Sequence, residues 1–284
     1  MTGIARIIHK AQTAYRRFLG IPLPIVTANL GGKLLRVREG AVPPTPQMDY
    51  GWIAACALRA TRVFDVGSNI GQAALIMLLS PTVEEIVMVE ANPLALSVAA
   101  DNLIMNHLIQ RVRMIAAFAD QRDDDEVTLW TYETGAAGSV YRERAQTAAR
   151  HNTSMQVPTV TLDTLMSRFG APDLLKIDVE GAELRVLEGA KGIARTGKAR
   201  FLIEMHMIPN LTMIQHIDLL VKWCDSVGYS AWYVHTSQRL PLGGVPDARC
   251  HILLQPKDWI YPEWLTSIPA FATADVALRQ LAGG

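Results

Sequence analysis

The chain contains 284 residues, of which 50% are hydrophobic, so it can bury one large α/β core or two smaller ones. Its 27 lysine and arginine residues balance its 27 aspartate and glutamate residues, which gives a formal net charge of zero. Because proteins that bind a nucleic-acid backbone usually carry a basic excess, this balance argues against a nucleic-acid partner and favours a small or neutral substrate.

The first 45 residues are predicted to be an N-terminal arm, and residues 46–284 a single domain. The break between them is the stretch VPPTPQ at residues 42–47, where three prolines in four positions interrupt any helix or sheet. Apolar residues at helical spacing predict an amphipathic, basic helix in the arm, with Ile4, Ile7, Ile8, Ala11, Tyr15, Phe18 and Leu19 on one face. Such a helix could lie on an anionic membrane surface, but packing on its own domain or on a partner subunit is the simpler interpretation.

Cysteine usage and hydropathy indicate the cellular compartment. The three cysteines are odd in number and lack the spacing of a metal site, which is typical of reduced intracellular proteins. No apolar run approaches the ~18 to 20 residues that a membrane span needs, and the start of the chain lacks the apolar core of a signal peptide. The sequence therefore predicts a cytoplasmic protein.

From residue 52 onward, strand-like and helix-period segments alternate, as in a mainly parallel sheet with helices on both faces. Seven strands are predicted, at residues 63–66, 86–90, 113–117, 174–178, 201–204, 231–235 and 252–255. Helices are predicted at 71–79, 93–106, 181–189 and 211–227. Between residues 126 and 164 the alternation fails, and the segments EVTLW and VPTVTLDTL are predicted as extra strands around a loop at 131–152 that forms a lid.

The segment RVFDVGSNIGQAAL, at residues 62–75, predicts a strand, a glycine turn and a helix. Gly67 and Gly71 form G-x-x-x-G and lack the middle glycine of the dinucleotide fingerprint G-x-G-x-x-G. Asp65, at the end of the strand, would repel a pyrophosphate but can accept a hydrogen bond from an ammonium group. S-adenosylmethionine has such an ammonium and no phosphate, so the turn predicts this cofactor, and a nicotinamide-dependent dehydrogenase is the weaker alternative.

Two further acids follow the next two strands. Glu90 ends the second strand, where a carboxylate can accept hydrogen bonds from both hydroxyls of a ribose. Asp120, just after the third strand, is placed to accept from the adenine amino group. The predicted cofactor-binding residues are Asp65, Gly67, Ser68, Asn69, Gly71, Glu90, Asp120 and Asp178.

Five motifs in this order resemble the FkbM-type S-adenosylmethionine-dependent methyltransferases: VFDVGSNIGQAAL, VMVEANP, VTLDTL, LLKIDVEGAELRVLEGA and FLIEMH. The resemblance covers about residues 52–206. It implies the class I methyltransferase fold, a Rossmann-like sheet of seven mostly parallel strands with the last strand antiparallel and helices on both faces. It also implies an activity that is mostly O-methylation, with a hydroxyl of a small molecule or glycan as the acceptor.

Polar residues end the fourth and fifth predicted strands, on the side where the methyl group would lie: Lys176, Asp178, Glu180, Glu204 and His206. An aliphatic hydroxyl is a poor nucleophile, so O-methylation needs a base. His206 is the predicted base, because an unperturbed imidazole titrates near neutral pH. Asp178 and Glu204 are expected to orient the acceptor hydroxyl and the imidazole, and Lys176 to keep Asp178 charged through an ion pair.

The same carboxylates raise the question of a metal. Asp178 and Glu204 are hard oxygen ligands of the kind that hold Mg²⁺. Met205 stands where an adjacent acid would complete such a site, so Mg²⁺ is not favoured and no metal residue is assigned.

Two alternatives stay open at this stage. The N-terminal arm would suit a non-catalytic scaffold or partner-binding module that retains the fold, although the complete cofactor motif argues against it. Arg142, Arg144 and Arg150 in the predicted lid would suit an acceptor with phosphate or carboxylate groups, although a charged loop is more often merely solvated.

Overall fold

The structure, a computed structural model, describes residues 22–43, 45–134, 138–241 and 249–281. Its strands are β1 (Ile25–Leu30), β2 (Lys33–Arg38), β3 (Arg62–Val66), β4 (Glu85–Glu90), β5 (Val112–Ala116), β6 (Phe118–Ala119), β7 (Glu126–Trp130), β8 (Ser154–Val160), β9 (Leu174–Ile177), β10 (Arg200–Met205), β11 (Tyr229–Tyr233), β12 (Gln238–Arg239) and β13 (Cys250–Pro256). Its helices are α1 (Tyr50–Ala57), α2 (Gln72–Met77), α3 (Pro93–Met105), α4 (Gln146–His151), α5 (Leu162–Phe169), α6 (Glu183–Glu188), α7 (Lys191–Arg195), α8 (Met213–Val227), α9 (Glu263–Thr266) and α10 (Ala274–Leu281).

The main sheet has eight strands in the order β12-β11-β13-β10-β9-β3-β4-β5. Strands β10, β9, β3, β4 and β5 are parallel to one another, and β13 runs antiparallel to both of its neighbours. From β3 the chain builds outward to β4 and β5, and later returns to β9 on the other side. In open parallel sheets, ligands bind beyond the carboxyl ends of the strands at such a reversal of strand order.

The eighth strand corrects the expected number of seven. All seven predicted strands are present, and β12 adds two residues at the edge of the sheet, where Gln238 pairs with Tyr233 of β11. Both residues of β12 are exposed. A two-residue polar strand buries no alternating apolar face, so the hydrophobic pattern that reveals the other strands is missing from it.

Successive residues of the central strands pack their side chains into two separate hydrophobic cores, one on each face of the sheet. Val63 packs into one core with α1, α2 and α10, whereas Phe64 packs into the other with α5, α6, α7 and α8. This two-residue alternation is the geometry of a strand. Because helices cover both faces of the sheet, the sequences of these strands are nearly continuous runs of apolar residues and do not alternate with polar ones.

Capping residues define where helices begin. The side chain of Asn92 accepts a hydrogen bond from the amide of Leu94, and Pro93 occupies the first turn of α3, which begins at the predicted residue 93. Helix α1 was not predicted, because all eight of its residues are buried and it has no polar stripe to give a helical period.

Among the described residues, the structure contains no helix that is both long and apolar enough to cross a membrane.

The irregular region between β6 and β9 forms a small second sheet in the order β6-β8-β7. EVTLW forms β7 as predicted, and it pairs antiparallel with β8. The second predicted strand segment is only half strand, because α5 begins at Leu162 after Thr161, whose hydroxyl accepts from the amide of Thr164. The loop between β7 and β8 carries α4.

Part of the predicted N-terminal arm is a hairpin of β1 and β2 that packs on α3. The amide of Arg38 donates to Asn102 at 2.7 Å, and its guanidinium pairs with Asp101. The amphipathic helix predicted from Ile4 to Leu19 lies outside the described residues. The division at residue 45 stays a prediction.

Candidate active site

A cleft opens at the carboxyl ends of β3, β4 and β9, where the strand order reverses. Gly67, Asn69, Glu90, Asp178 and Glu180 are among its lining residues. Ligands of open parallel sheets bind beyond the carboxyl ends of the strands at a reversal of strand order, so the cleft has the position of a cofactor site.

The turn after β3 brings two backbones into contact. Gly67 has a φ of 75°, and a Cβ on this residue would overlap the carbonyl oxygen of Asp178 in the turn after β9. Gly71 has a φ of 83° at the start of α2, where a Cβ would lie 3.0 Å from the Cβ of Ala99. Only glycine suits both demands, of conformation and of space.

Several polar atoms of this turn have no hydrogen-bond partner among the described residues: both carboxylate oxygens of Asp65, the hydroxyl of Ser68 and the amide oxygen of Asn69. Asp65 is completely buried, and burial raises the pKa of its carboxyl to about 6, with Lys176 acting in the opposite direction. Buried polar atoms in proteins are nearly always paired with protein or ordered water. Of the three residues only Asn69 lines the cleft, and Asp65 and Ser68 are buried in the same turn. The unpaired set suits a polar ligand bound at this turn, and its carboxylate fits the predicted ammonium group.

Glu90 is held between two backbone amides at the wall of the cleft. Its Oε2 accepts from the amide of Asn69 at 2.7 Å, and its Oε1 accepts from the amide of Asn92 at 2.8 Å. Burial raises the pKa of Glu90, whereas these two hydrogen bonds lower it. Each carboxylate oxygen can accept more than one hydrogen bond, so Glu90 retains capacity for the hydroxyls of a ribose.

Asp120 lies at the end of β6, and its carboxylate is bound within the protein. Both of its oxygens accept from Arg185 of α6, one of them at 2.9 Å. Its neighbours Phe118 and Ala119 line the cleft instead. The adenine contact predicted for Asp120 would require this ion pair to open.

Next to the cleft, the ends of β9 and β10 form a buried cluster of charged side chains. Lys176 pairs with Asp178, with 3.2 Å between Nζ and Oδ2, as the sequence predicted. Burial by itself would raise the pKa of Asp178, but the charges of Lys176 and His206 hold that pKa below its usual value. For Lys176 the directions are reversed: burial lowers the pKa of its ammonium group, and the surrounding carboxylates raise it above its usual value.

His206 stands at the centre of this cluster. Its Nδ1 lies 2.9 Å from Glu183, and its Nε2 faces Asp178, Glu180 and Glu204 at 3.6 to 3.8 Å. Burial lowers the pKa of His206, but the hydrogen bond to Glu183 and the nearby carboxylates raise it to about 9. The expectation that His206 titrates near neutral pH is therefore corrected. Asp178, Glu180 and Glu204 were expected beside His206, whereas Glu183, the hydrogen-bond partner of its Nδ1, was not.

The loop between β7 and β8 is tied to the turn after β9. The hydroxyl of Ser139 donates to the backbone oxygen of Glu180 at 2.8 Å, and Arg144 pairs with the Glu180 carboxylate at 2.6 Å. The guanidinium of Arg142 instead lies over the ring of Trp130, at 4.9 Å, and Arg150 bonds within α4. Of the three loop arginines, Arg144 is thus the one at the site, and its charge is already paired.

The sequence also missed a second buried group behind Glu204. His251, the second residue of β13, lies opposite Glu204 in the antiparallel register. Its Nε2 is 3.5 Å from Glu204 and 3.8 Å from Asp49, and these two acids raise the pKa of His251 to about 9 against the effect of burial. Only the pairing of β10 with β13 reveals this contact, and no motif in the sequence signals it.

Comparison with known proteins gives one family. A model described as the methyltransferase FkbM domain matches residues 65–230, more than half of the chain. None of the curated proteins matches the chain.

Several solved structures are similar at low identity. The methyltransferase FkbM from Methylobacillus flagellatus is 18% identical over 69% of this chain, with a TM-score of 0.45, and this chain spans 43% of its length. A SAM-dependent methyltransferase from Agrobacterium tumefaciens is 14% identical over 82% of this chain and 70% of its own, with a TM-score of 0.46. TYW2 of M. jannaschii, in complex with AdoMet, is 14% identical over 82% of this chain and 85% of its own, with a TM-score of 0.40.

Proposed function

Because the chain belongs to the FkbM methyltransferase family, we propose that it transfers the methyl group of S-adenosylmethionine to a hydroxyl oxygen of a small molecule or glycan. The observation that carries the proposal is the position of Asp178. This residue lines the cleft, and its carboxylate also belongs to the buried charged cluster, through Lys176 at 3.2 Å and His206 at 3.8 Å. A cofactor in the cleft and an acceptor over the cluster would therefore be adjacent.

The residues of the cleft and of the turn beside it fit the cofactor. Glu90 retains acceptor capacity for the ribose hydroxyls. The unpaired atoms of Asn69, which lines the cleft, and of Asp65 and Ser68, which are buried in the same turn, suit the charged amino-acid end. When bound, the sulfonium supplies an electrophilic methyl group with sulfur as the leaving atom. The turn lacks the middle glycine of the dinucleotide fingerprint, which disfavours a nicotinamide cofactor.

The residues of the cluster would prepare the acceptor. As the methyl–oxygen bond forms, the methyl–sulfur bond breaks with its electron pair on sulfur, and the hydroxyl proton has to pass to a base. A free imidazole at His206 was the predicted base, but the four acids around the ring favour its protonated form. Asp178 lines the cleft beside the cluster, so we assign the proton to its carboxylate. Lys176 and His206 lower the pKa of this carboxyl and make it a weak base, so the transfer relies on alignment of the hydroxyl by the cluster rather than on base strength.

The cofactor assignment predicts the effect of two substitutions on binding of S-adenosylhomocysteine. Asp65→Ala and Glu90→Ala should each weaken the affinity roughly 10-fold to 100-fold, since each removes a hydrogen bond to a charged group. Isothermal titration calorimetry measures this, with Glu188→Gln on the exposed face of α6 as the matched control. Unchanged affinity in both alanine variants, or tighter binding of NADH than of S-adenosylhomocysteine, contradicts the assignment.

The transfer itself needs a separate measurement. Incubation with labelled S-adenosylmethionine and pools of hydroxylated small molecules and glycans should yield a labelled product that resists mild base, as a methyl ether does. Labelling of any acceptor in these pools would remove the alternative, a non-catalytic scaffold that retains the fold.

A further inference from the structure

Carboxylate oxygens surround the Nε2 atom of His206 and leave a gap between them. Oδ1 of Asp178 lies 3.8 Å away, Oε1 of Glu204 3.7 Å away and Oε2 of Glu180 3.6 Å away. All three distances are longer than a hydrogen bond. Two atoms that bind the same metal ion at ~2.1 Å lie roughly 3 to 4 Å apart, so the spacing is that of ligands around an ion.

The other ring nitrogen of His206 fixes the direction of Nε2. Nδ1 donates to Oε1 of Glu183 at 2.9 Å, and the same oxygen accepts from the amide of Gly181 at 2.9 Å. Glu183 is completely buried, so the hydrogen bond is shielded from water. Metal-binding histidines are usually oriented in this way, with a carboxylate on the nitrogen that faces away from the ion.

We infer that Asp178, Glu204 and His206 form a binding site for a divalent transition-metal ion such as Mn²⁺, with Glu183 as a positioning residue. The three candidate ligand atoms all lie within 4.8 Å of one another. Glu204 is 8% exposed, and its Oε1, which points into the gap, has no hydrogen bond of good geometry among the described residues. The imidazole ligand distinguishes this site from the all-oxygen Mg²⁺ site considered from the sequence, because nitrogen ligands favour transition metals.

Three cations border the site and do not fill it. Arg144 holds Oε2 of Glu180 at 2.6 Å, so Glu180 is not counted among the ligands. Lys176 contacts Oδ2 of Asp178, which leaves Oδ1 directed toward His206. Arg249 places Nη1 2.9 Å from Oε1 of Glu204 and therefore competes with an ion for that oxygen. The side chain of Arg249 is 62% exposed, so it can turn into solvent when an ion binds.

The position of the site suggests its use. Asp178 is shared with the cleft, so an ion held here would orient an acceptor hydroxyl and withdraw charge from it next to the cofactor. This use rests on the proposed function. The binding of the ion does not depend on it.

The test is titration of the metal-stripped full chain with Mn²⁺, followed by the electron paramagnetic resonance signal of the free ion. One ion should bind per chain. His206→Ala and Glu204→Gln should weaken binding at least tenfold, and Glu183→Gln should weaken it by roughly 10-fold to 100-fold through the ring orientation. Arg249→Gln should tighten binding, because it removes the competing cation, and Glu188→Gln should leave it unchanged.

The same samples separate this inference from the proposed function. Circular dichroism checks that each variant is folded, and Asp178→Asn replaces any ligand variant that is not. Wild-type protein that binds no more Mn²⁺ than His206→Ala overturns the metal site, even if S-adenosylhomocysteine binds normally. Stoichiometric Mn²⁺ without affinity for S-adenosylhomocysteine supports the metal site and overturns the proposed function.

Discussion

Asp65 is a carboxylate in the middle of the sheet whose oxygens have no partner among the described residues. Its pKa is raised from 3.8 to about 6 by burial, so the folded state holds the proton more tightly than the unfolded chain does. The contribution of the Asp65 carboxyl to the free energy of unfolding is therefore most favourable below pH ~4, and it is lost as the pH rises through ~6. Two pKa units correspond to about 3 kcal/mol.

Asp65→Asn should accordingly stabilise the ligand-free protein at pH 8, by up to about 3 kcal/mol, and should give little or no gain at pH 4. The same change should weaken binding of S-adenosylhomocysteine, because the amide cannot match the charge of an ammonium group. Thermal unfolding of both proteins at the two pH values measures the first effect. An equal difference in melting temperature at pH 4 and pH 8 would show that the carboxyl is not the source.

Gly67 allows a second prediction at the same scale, because Gly197 offers a matched control. Both residues have positive φ, 75° and 65°, but a Cβ on Gly67 would overlap the Asp178 carbonyl, whereas a Cβ on Gly197 would meet nothing within 4 Å. Gly197→Ala should cost about 1 to 2 kcal/mol of unfolding free energy, and Gly67→Ala roughly 2 to 5 kcal/mol. Urea unfolding compares them. Equal losses would mean that the contact with Asp178 is absent.

At the scale of elements, the loop between β7 and β8 is tied to the turn after β9 by the Ser139 hydrogen bond and by the ion pair between Arg144 and Glu180. Arg144→Gln removes the 2.6 Å contact with Glu180 and should raise the rate of chymotrypsin cleavage after Tyr141 several-fold. Arg150→Gln is the control, since Arg150 bonds within its own helix. Cleavage that is equally fast in wild type and both variants would show that the pair does not hold the loop.

Helices and strands could be predicted where a local sequence signal, such as a periodic pattern of buried and exposed residues or a turn or capping residue, marks them. The strand at residues 63–66 and the helix after Asn92 combine apolar runs with turn and capping residues, so local chemistry defines them. Helix α1 could not be predicted, because YGWIAACA is buried on every side. β12 could not be predicted either, because its two residues bury nothing. A periodic pattern requires one buried face and one exposed face.

At the scale of the whole molecule, one part of the candidate site could be predicted from the sequence and another part could not. The cofactor turn lies within one stretch of chain from Asp65 to Gly71, so its sequence predicts its chemistry. The sequence predicted that Lys176, Asp178, Glu180, Glu204 and His206 lie together at the ends of two strands. It did not predict His251, which meets Glu204 because β13 inserts antiparallel beside β10, or Asp49, which contacts His251. Strand order and register place these groups, and neither is written in a local motif. The pKa values of His206 and His251 follow from that placement.

The contact between Gly67 and the Asp178 carbonyl also has a consequence for engineering the acceptor range. The cofactor turn and the turn after β9 touch at Gly67 and the Asp178 carbonyl, so neither can be reshaped without displacing the other. Among the described residues, Ser139 and Arg144 of the loop between β7 and β8 contact the turn after β9 through their side chains, and Gly138 lines the cleft. Libraries that aim at new acceptors should therefore vary this loop at residues 139–152 and leave Gly138 and both turns as they are, since recognition can then change without misaligning the methyl donor.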